Sequence, residues 1–167
     1  MKNSKSKEIR ENSFGNEVGR LAQGMPGRIS KENGTNTIFF IAQNEIPQDR
    51  RQDVTYARVV CNYWDQKKEK ERTRITMGGD RTNCSFDCGT PTPELLTIKL
   101  LLNSVISTPG AKFMTIDISN FYLNTPMDRY EYMRMKLDMF PEDVIGEYDL
   151  RDRVEPNGSR TTYTEVT

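Results

Sequence analysis

The sequence predicts an α+β fold in which antiparallel strands pack on one buried helix. Three observations point there. Short runs rich in β-branched and aromatic residues, TIFFIA (37–42), TYARVVCNYW (55–64) and RTRITMGG (72–79), are separated by polar or Pro-bearing stretches. One long apolar segment, TPTPELLTIKLLLNSVISTPG (90–110), carries helix start and stop signals. After it, FMTID and YEYMRMKL read as two further strands around the loop NFYLNTPMDR.

Residues 1–36 are rich in Gly, Asn, Ser, Lys and Glu and hold neither period for long, so they are expected to form a flexible lead-in. Residues 37–89 follow as the strand region. TIFFIA is a short strand closed off by Pro47, and the charged turn DQKKEKE between the next two runs makes a β-hairpin. Residues 90–137 hold the helix and the strand pair. Thr92 is the expected cap, Pro93 suits the first helical position, Glu94 complements the dipole, and Pro109-Gly110 ends the helix. Leu95, Leu96, Ile98, Leu101, Leu102, Val105 and Ile106 cover a broad apolar face, which predicts burial against a sheet. Residues 138–167 form an acidic tail.

Apolar residues make up only 35% of the 167 and charged ones 29%, so the core is expected to be small. Lys plus Arg equals Asp plus Glu at 24 each, which excludes a global basic field. Charge is instead local: residues 65–81 hold six basic and four acidic side chains, residues 128–155 five and nine. Cys61, Cys84 and Cys88 cannot all pair within one chain, and with no histidine they make a poor zinc set, so free thiols and an intracellular setting are expected. No stretch approaches the roughly 20 apolar residues of a membrane helix.

The run Asp117-Ile118-Ser119-Asn120-Phe121-Tyr122-Leu123, followed by Tyr132-Met133, resembles the first catalytic motif of reverse transcriptases, and among them the copia-type retrotransposon polymerases. The resemblance extends back over ARVVCNYW and RTRITMGG, which look like a fingers hairpin, and over the long helix, which looks like the one preceding the palm strand. It spans roughly residues 37 to 137. It implies a partial fingers and palm, and, in the complete enzyme, RNA-directed DNA synthesis by two-metal nucleotidyl transfer on an RNA or DNA template-primer with dNTP. It also implies a cytoplasmic or virus-like-particle setting.

By that resemblance Asp117 and the Ile118 carbonyl are magnesium ligands, Asp117 being the catalytic carboxylate. Phe121 and Tyr122 sit at the nucleotide, with Tyr122 as the gate against a 2′-hydroxyl. From the residues alone, Asp117 reads equally as an Asx-turn at a strand end, and Tyr122 as a loop aromatic closing the core. Arg72 and Arg74, two apart on a strand, can grip triphosphate oxygens together, or form part of a solvated hairpin tip with Lys67, Lys68 and Lys70.

No Asp-Asp dipeptide occurs, and the chain runs only 50 residues past Asp117. The second carboxylate pair of the family is therefore missing and the palm is expected to be cut short, with an unpaired sheet edge, weak or absent metal binding and no activity alone. Two other readings remain at this point. One is a non-catalytic nucleic-acid-binding module using the hairpin and Tyr56, Tyr63 and Trp64; the other is a non-functional transposon remnant.

Overall fold

The computed structural model describes residues 2–82, 92–118, 120–121, 123, 125–155 and 161–167. The chain divides into two compact units, Met1–Asn83 with Tyr122–Thr167, and Cys84–Phe121. The architecture is α+β, as the sequence predicts, with a five-stranded mixed sheet in the larger unit.

That sheet is built from β1 (Ile38–Ile41), β2 (Thr55–Tyr63), β3 (Glu71–Met77), β4 (Glu131–Lys136) and β5 (Thr161–Val166), in the order β1-β5-β4-β2-β3. The expected hairpin is present: β2 and β3 pair antiparallel from Ala57↔Met77 to Tyr63↔Glu71, closed by Trp64 N–H donating to the Lys70 carbonyl. β1 and β4 also form where the sequence places them. The partner of β4 differs. FMTID forms no strand; β4 instead pairs antiparallel with β5 and parallel with β2, so both of its sides are filled. The strand expected before the loop is thus replaced by TTYTEV from the tail, whose Thr, Tyr and Val residues suit a pleated surface.

The N-terminal stretch departs most from the expected flexible lead-in. Residues Lys2–Leu21 form α1. Phe14, Val18 and Leu21 recur at helical spacing and are buried, and Ala22 and Met25 continue the same cluster. They meet Ile38, Phe40, Met133 and Met135 from one face of the sheet, and Phe140, Val144, Ile145 and Leu150 from the segment holding α3 (Glu142–Glu147). Phe140 stands at the centre of an aromatic group, edge-on to Phe14 and to Phe40 at 5.6 Å each. Gly19 is needed for the close return of the chain after α1: a Cβ there would lie 2.7 Å from Met25 Cβ and 3.1 Å from its backbone nitrogen.

Side chains engage some of the outward backbone groups of both outer strands. At β3, Ser13 Oγ accepts from Thr73 N–H and donates to the Glu71 carbonyl. At β1, the Ile38 carbonyl accepts from Gln23 and the Phe40 carbonyl from Arg153. The unpaired edge expected of a cut palm concerns a different place, beside the palm pair, where β4 has β5 on one side and β2 on the other.

α1 is also tied to the hairpin by charge. Arg20 bridges Glu17 at 3.5 Å and Glu69 at 2.5 Å, and Asn16 donates to Glu69 at 3.1 Å. Burial pushes the Glu17 carboxyl above its ordinary value of 4.5, with Arg20 and Arg72 pulling it back only in part. The native state therefore holds this proton to a higher pH than the unfolded chain does, and stability falls as pH rises through the window above 4.5. Glu17→Gln is expected to raise the melting temperature at pH 7. The gain should vanish below about pH 4, where the carboxyl is protonated in both states; thermal melts across the pH range check this.

In the smaller unit, α2 (Leu95–Ser107) follows an extended Glu94, which takes the N-cap position in place of the expected Thr92. The stop is where Pro109-Gly110 predicts it. Gly110 has φ +76, a left-handed conformation that glycine adopts without Cβ strain. Within its own unit α2 finds none of the burial expected of it: Leu95 is 65% and Ile106 84% exposed.

Candidate functional site

Asp117 and Ile118 lie in residues 111–118, which carry no regular secondary structure and are exposed throughout. Phe113, Met114, Ile116 and Ile118 share that exposure, so the side chains expected to fix a palm strand do not anchor one here. Phe121 is exposed in a turn, after Asn120 at φ 56. Tyr122, like Cys84 and Cys88, lies outside the described residues.

Among the described residues no group of three or more His, Cys, Asp or Glu side chains is placed to hold a metal ion. Asp117 with its neighbouring carbonyl is one carboxylate, whereas a two-metal centre needs several, so the described donor set does not by itself fit that centre.

Arg72 and Arg74 do lie on one face of β3, as the spacing predicts. Their surroundings are unequal. Arg74 is exposed opposite Val60, while Arg72 is half-buried opposite Asn62, with its Nε enclosed and its charge felt by Glu17. The registers extend this face across the sheet. Tyr56, Arg58, Val60 and Asn62 of β2 lie on it with Tyr132, Arg134 and Lys136 of β4. Arg58, Arg74, Arg134 and Lys136 are exposed there. The sheet's other face carries Ala57, Val59, Ile75 and Met77 toward the core.

Arg58, Arg134 and Lys136 were not singled out from the sequence. The signal was present in YEYMRMKL, where Arg134 and Lys136 alternate with the apolar Met133, Met135 and Leu137, but only the strand register joins them to the hairpin.

The hairpin tip is more self-neutralised than the face. Lys70 pairs with Asp65 at 2.9 Å, Glu69 is held by Arg20, and Lys67 Nζ stands 5.9 Å from the centre of the exposed Trp64 ring. Tyr63 donates to Asp65 and Tyr56 to Asp80, while the Arg58 guanidinium sits 5.9 Å from the Tyr56 ring centre.

Beside the open face, Glu131 is enclosed and held by Arg50 at 3.0 Å and Arg129 at 2.8 Å. Arg50 also bonds Asp53 and lies over the Tyr132 ring. This cluster fastens residues 48–53 to β4.

No family model, no curated protein and no solved structure matches the chain.

Proposed function

We propose that the chain is the fingers and first palm segment of a copia-type retrotransposon reverse transcriptase, contributing to RNA-directed DNA synthesis in the complete enzyme and inactive as a polymerase alone. The observation that carries this reading is the run Asp117 to Leu123 followed by Tyr132-Met133. Support comes from the hairpin of β2 and β3, which carries Arg72 and Arg74 on one face. In this reading Asp117 and the Ile118 carbonyl belong to the magnesium site of the whole polymerase, Phe121 and Tyr122 to the nucleotide pocket, and the arginines to phosphate contact.

A second reading, nucleic-acid binding without chemistry, is favoured by the exposed cations Arg58, Arg74, Arg134 and Lys136 beside aromatic side chains. Both readings require weak, salt-sensitive association with a primer-template and no sequence preference. Replacing both Arg72 and Arg74 by Gln is expected to flatten the plot of log affinity against log salt by about 1.5 to 2 units in the polymerase reading and by about 1 unit in the second, which uses only Arg74 of the two, measured by fluorescence anisotropy. Tight association that persists at high salt would contradict both. Neither reading expects primer extension from the chain alone, and extension that depends on Asp117 would overturn the inactive state proposed here.

A further inference from the structure

The chain between β1 and β2 folds back over the sheet face opposite the main core. Ile46 is buried there against Tyr132 and Tyr163, with Ile41 and Val54 alongside. Next to this small cluster lies a cavity of about 360 Å³, lined by Gln43, Ile46, Arg51, Gln52, Val54, Arg134, Glu155 and Tyr163. Its volume falls within the range of about 300–1,000 Å³ typical of small-molecule sites. The whole lining belongs to the larger unit, and none of it is assigned a part in the polymerase reading.

The lining divides into three kinds of group. Ile46, Val54 and the Tyr163 ring offer apolar surface. Gln43 and Gln52 offer amides, and Gln43 Nε2 already donates to Tyr163 Oη at 3.2 Å. The remaining groups are charged. Among the described residues Arg50 is engaged by Asp53 and Glu131, whereas neighbouring Arg51 makes no ion pair, and nor does Arg134 from β4. Glu155 accepts a hydrogen bond from Tyr163 Oη. Burial first, and then Glu155, raise the Tyr163 hydroxyl to about 12, so at neutral pH it keeps its proton and remains the donor to that carboxylate.

The balance of charge selects the ligand. Among the described residues of the lining, two guanidinium groups stand against one carboxylate, an excess of one positive charge. A monoanion cancels it, while a dianion would overfill it beside Glu155. A guanidinium suits a carboxylate in shape as well as charge. We infer that this cavity binds a small monocarboxylate carried on a flat apolar body, its carboxylate between Arg51 and Arg134 and its body against Ile46, Val54 and Tyr163. The site is separate from nucleotide transfer, so its test is independent of the polymerase reading.

The probe is 2-naphthoate, titrated into the full chain by calorimetry and followed by saturation-transfer NMR, with 2-naphthyl phosphate and the uncharged 2-naphthalenemethanol as comparisons. Saturable one-site binding of 2-naphthoate is expected, stronger than for either comparison. Arg51→Gln and Arg134→Gln are each expected to weaken it about 10-fold or more, the usual size of a lost hydrogen bond to a charged group. Arg58→Gln, on the same sheet face but outside the cavity, should leave it unchanged. Thermal melts establish that each variant is folded, and Arg51, lying outside the strands, supplies a variant that does not disturb the sheet. Absence of saturable binding up to about 10 mM, a level corresponding to less than 3 kcal/mol, would overturn the inference. So would binding undiminished in both arginine variants, equal binding of the alcohol, or tighter binding of the phosphate.

Discussion

Fused through residue 137 to the downstream half of an intact copia-type polymerase, this chain is expected to extend a primer on an RNA template, and Asp117→Asn is expected to abolish that extension by orders of magnitude. The substitution keeps the size of the side chain and removes the charge that a divalent ion requires. Asp117 is exposed and outside regular structure in the chain alone, so its loss should leave the thermal melt unchanged. Tyr122→Ala should act differently in kind, leaving dNTP use partly intact while admitting ribonucleotides. The fusion point imposes two structural conditions. It removes β5, which pairs with both β1 and β4, together with Phe140, Val144, Ile145 and Leu150 of the core, so the downstream half must supply both a strand between β1 and β4 and apolar side chains to cover α1. A folded fusion that extends primers with Asp117→Asn harmless would reduce the aspartate to a turn residue. Loss of activity with Asp117→Asn but unchanged sugar preference in Tyr122→Ala would keep the metal role and remove the gate.

The second large effect concerns stability. Phe140→Ala in the full chain is expected to cost about 4–5 kcal/mol, at the upper end for a buried aromatic truncation. Phe140 is buried, and its ring meets Phe14 from α1 and Phe40 from β1 in two edge-on contacts, each adding about 0.5–1.5 kcal/mol beyond area burial. One truncation therefore leaves a cavity and loosens three segments at once. Against a total of about 5–15 kcal/mol, that removes from roughly a quarter to all of the stability. Urea titration followed by circular dichroism reads the change as a fall in midpoint. Phe39→Ala is the comparison: Phe39 is adjacent in sequence but 38% exposed on the opposite sheet face, and a cost below about 1 kcal/mol is expected. Equal costs at the two positions would contradict the central place given to Phe140.

The strands that were legible in the sequence are those whose signal is local. β2 and β3 announce themselves by β-branched and aromatic runs around a charged turn, and Pro109-Gly110 stops α2 by backbone geometry alone. What was not legible depends on distant partners. α1 has a short apolar stripe at Phe14, Val18 and Leu21 diluted by Gly15, Gly19 and polar neighbours, and it gains its place by packing against strands that come later. β5 carries strand-forming residues, but its position between β1 and β4 follows from pairing across the whole chain. FMTID shows the reverse case. Its residues favour a strand, yet a strand requires a ladder neighbour, and both sides of β4 are taken. The same holds for function: Arg72 and Arg74 were found by spacing along one strand, whereas Arg58, Arg134 and Lys136 join them only through register.

The partly engaged outer strands determine how this molecule can misassociate. Cross-β fibrils grow when a bare strand templates another of its kind, and here Ser13, Gln23 and Arg153 occupy backbone positions that such growth would use. The leucine and isoleucine side chains of α2, by contrast, find no burial within their own unit. Clumping of this chain should therefore be oily rather than fibrillar: amorphous, dispersed by mild detergent, and silent to dyes that report stacked strands.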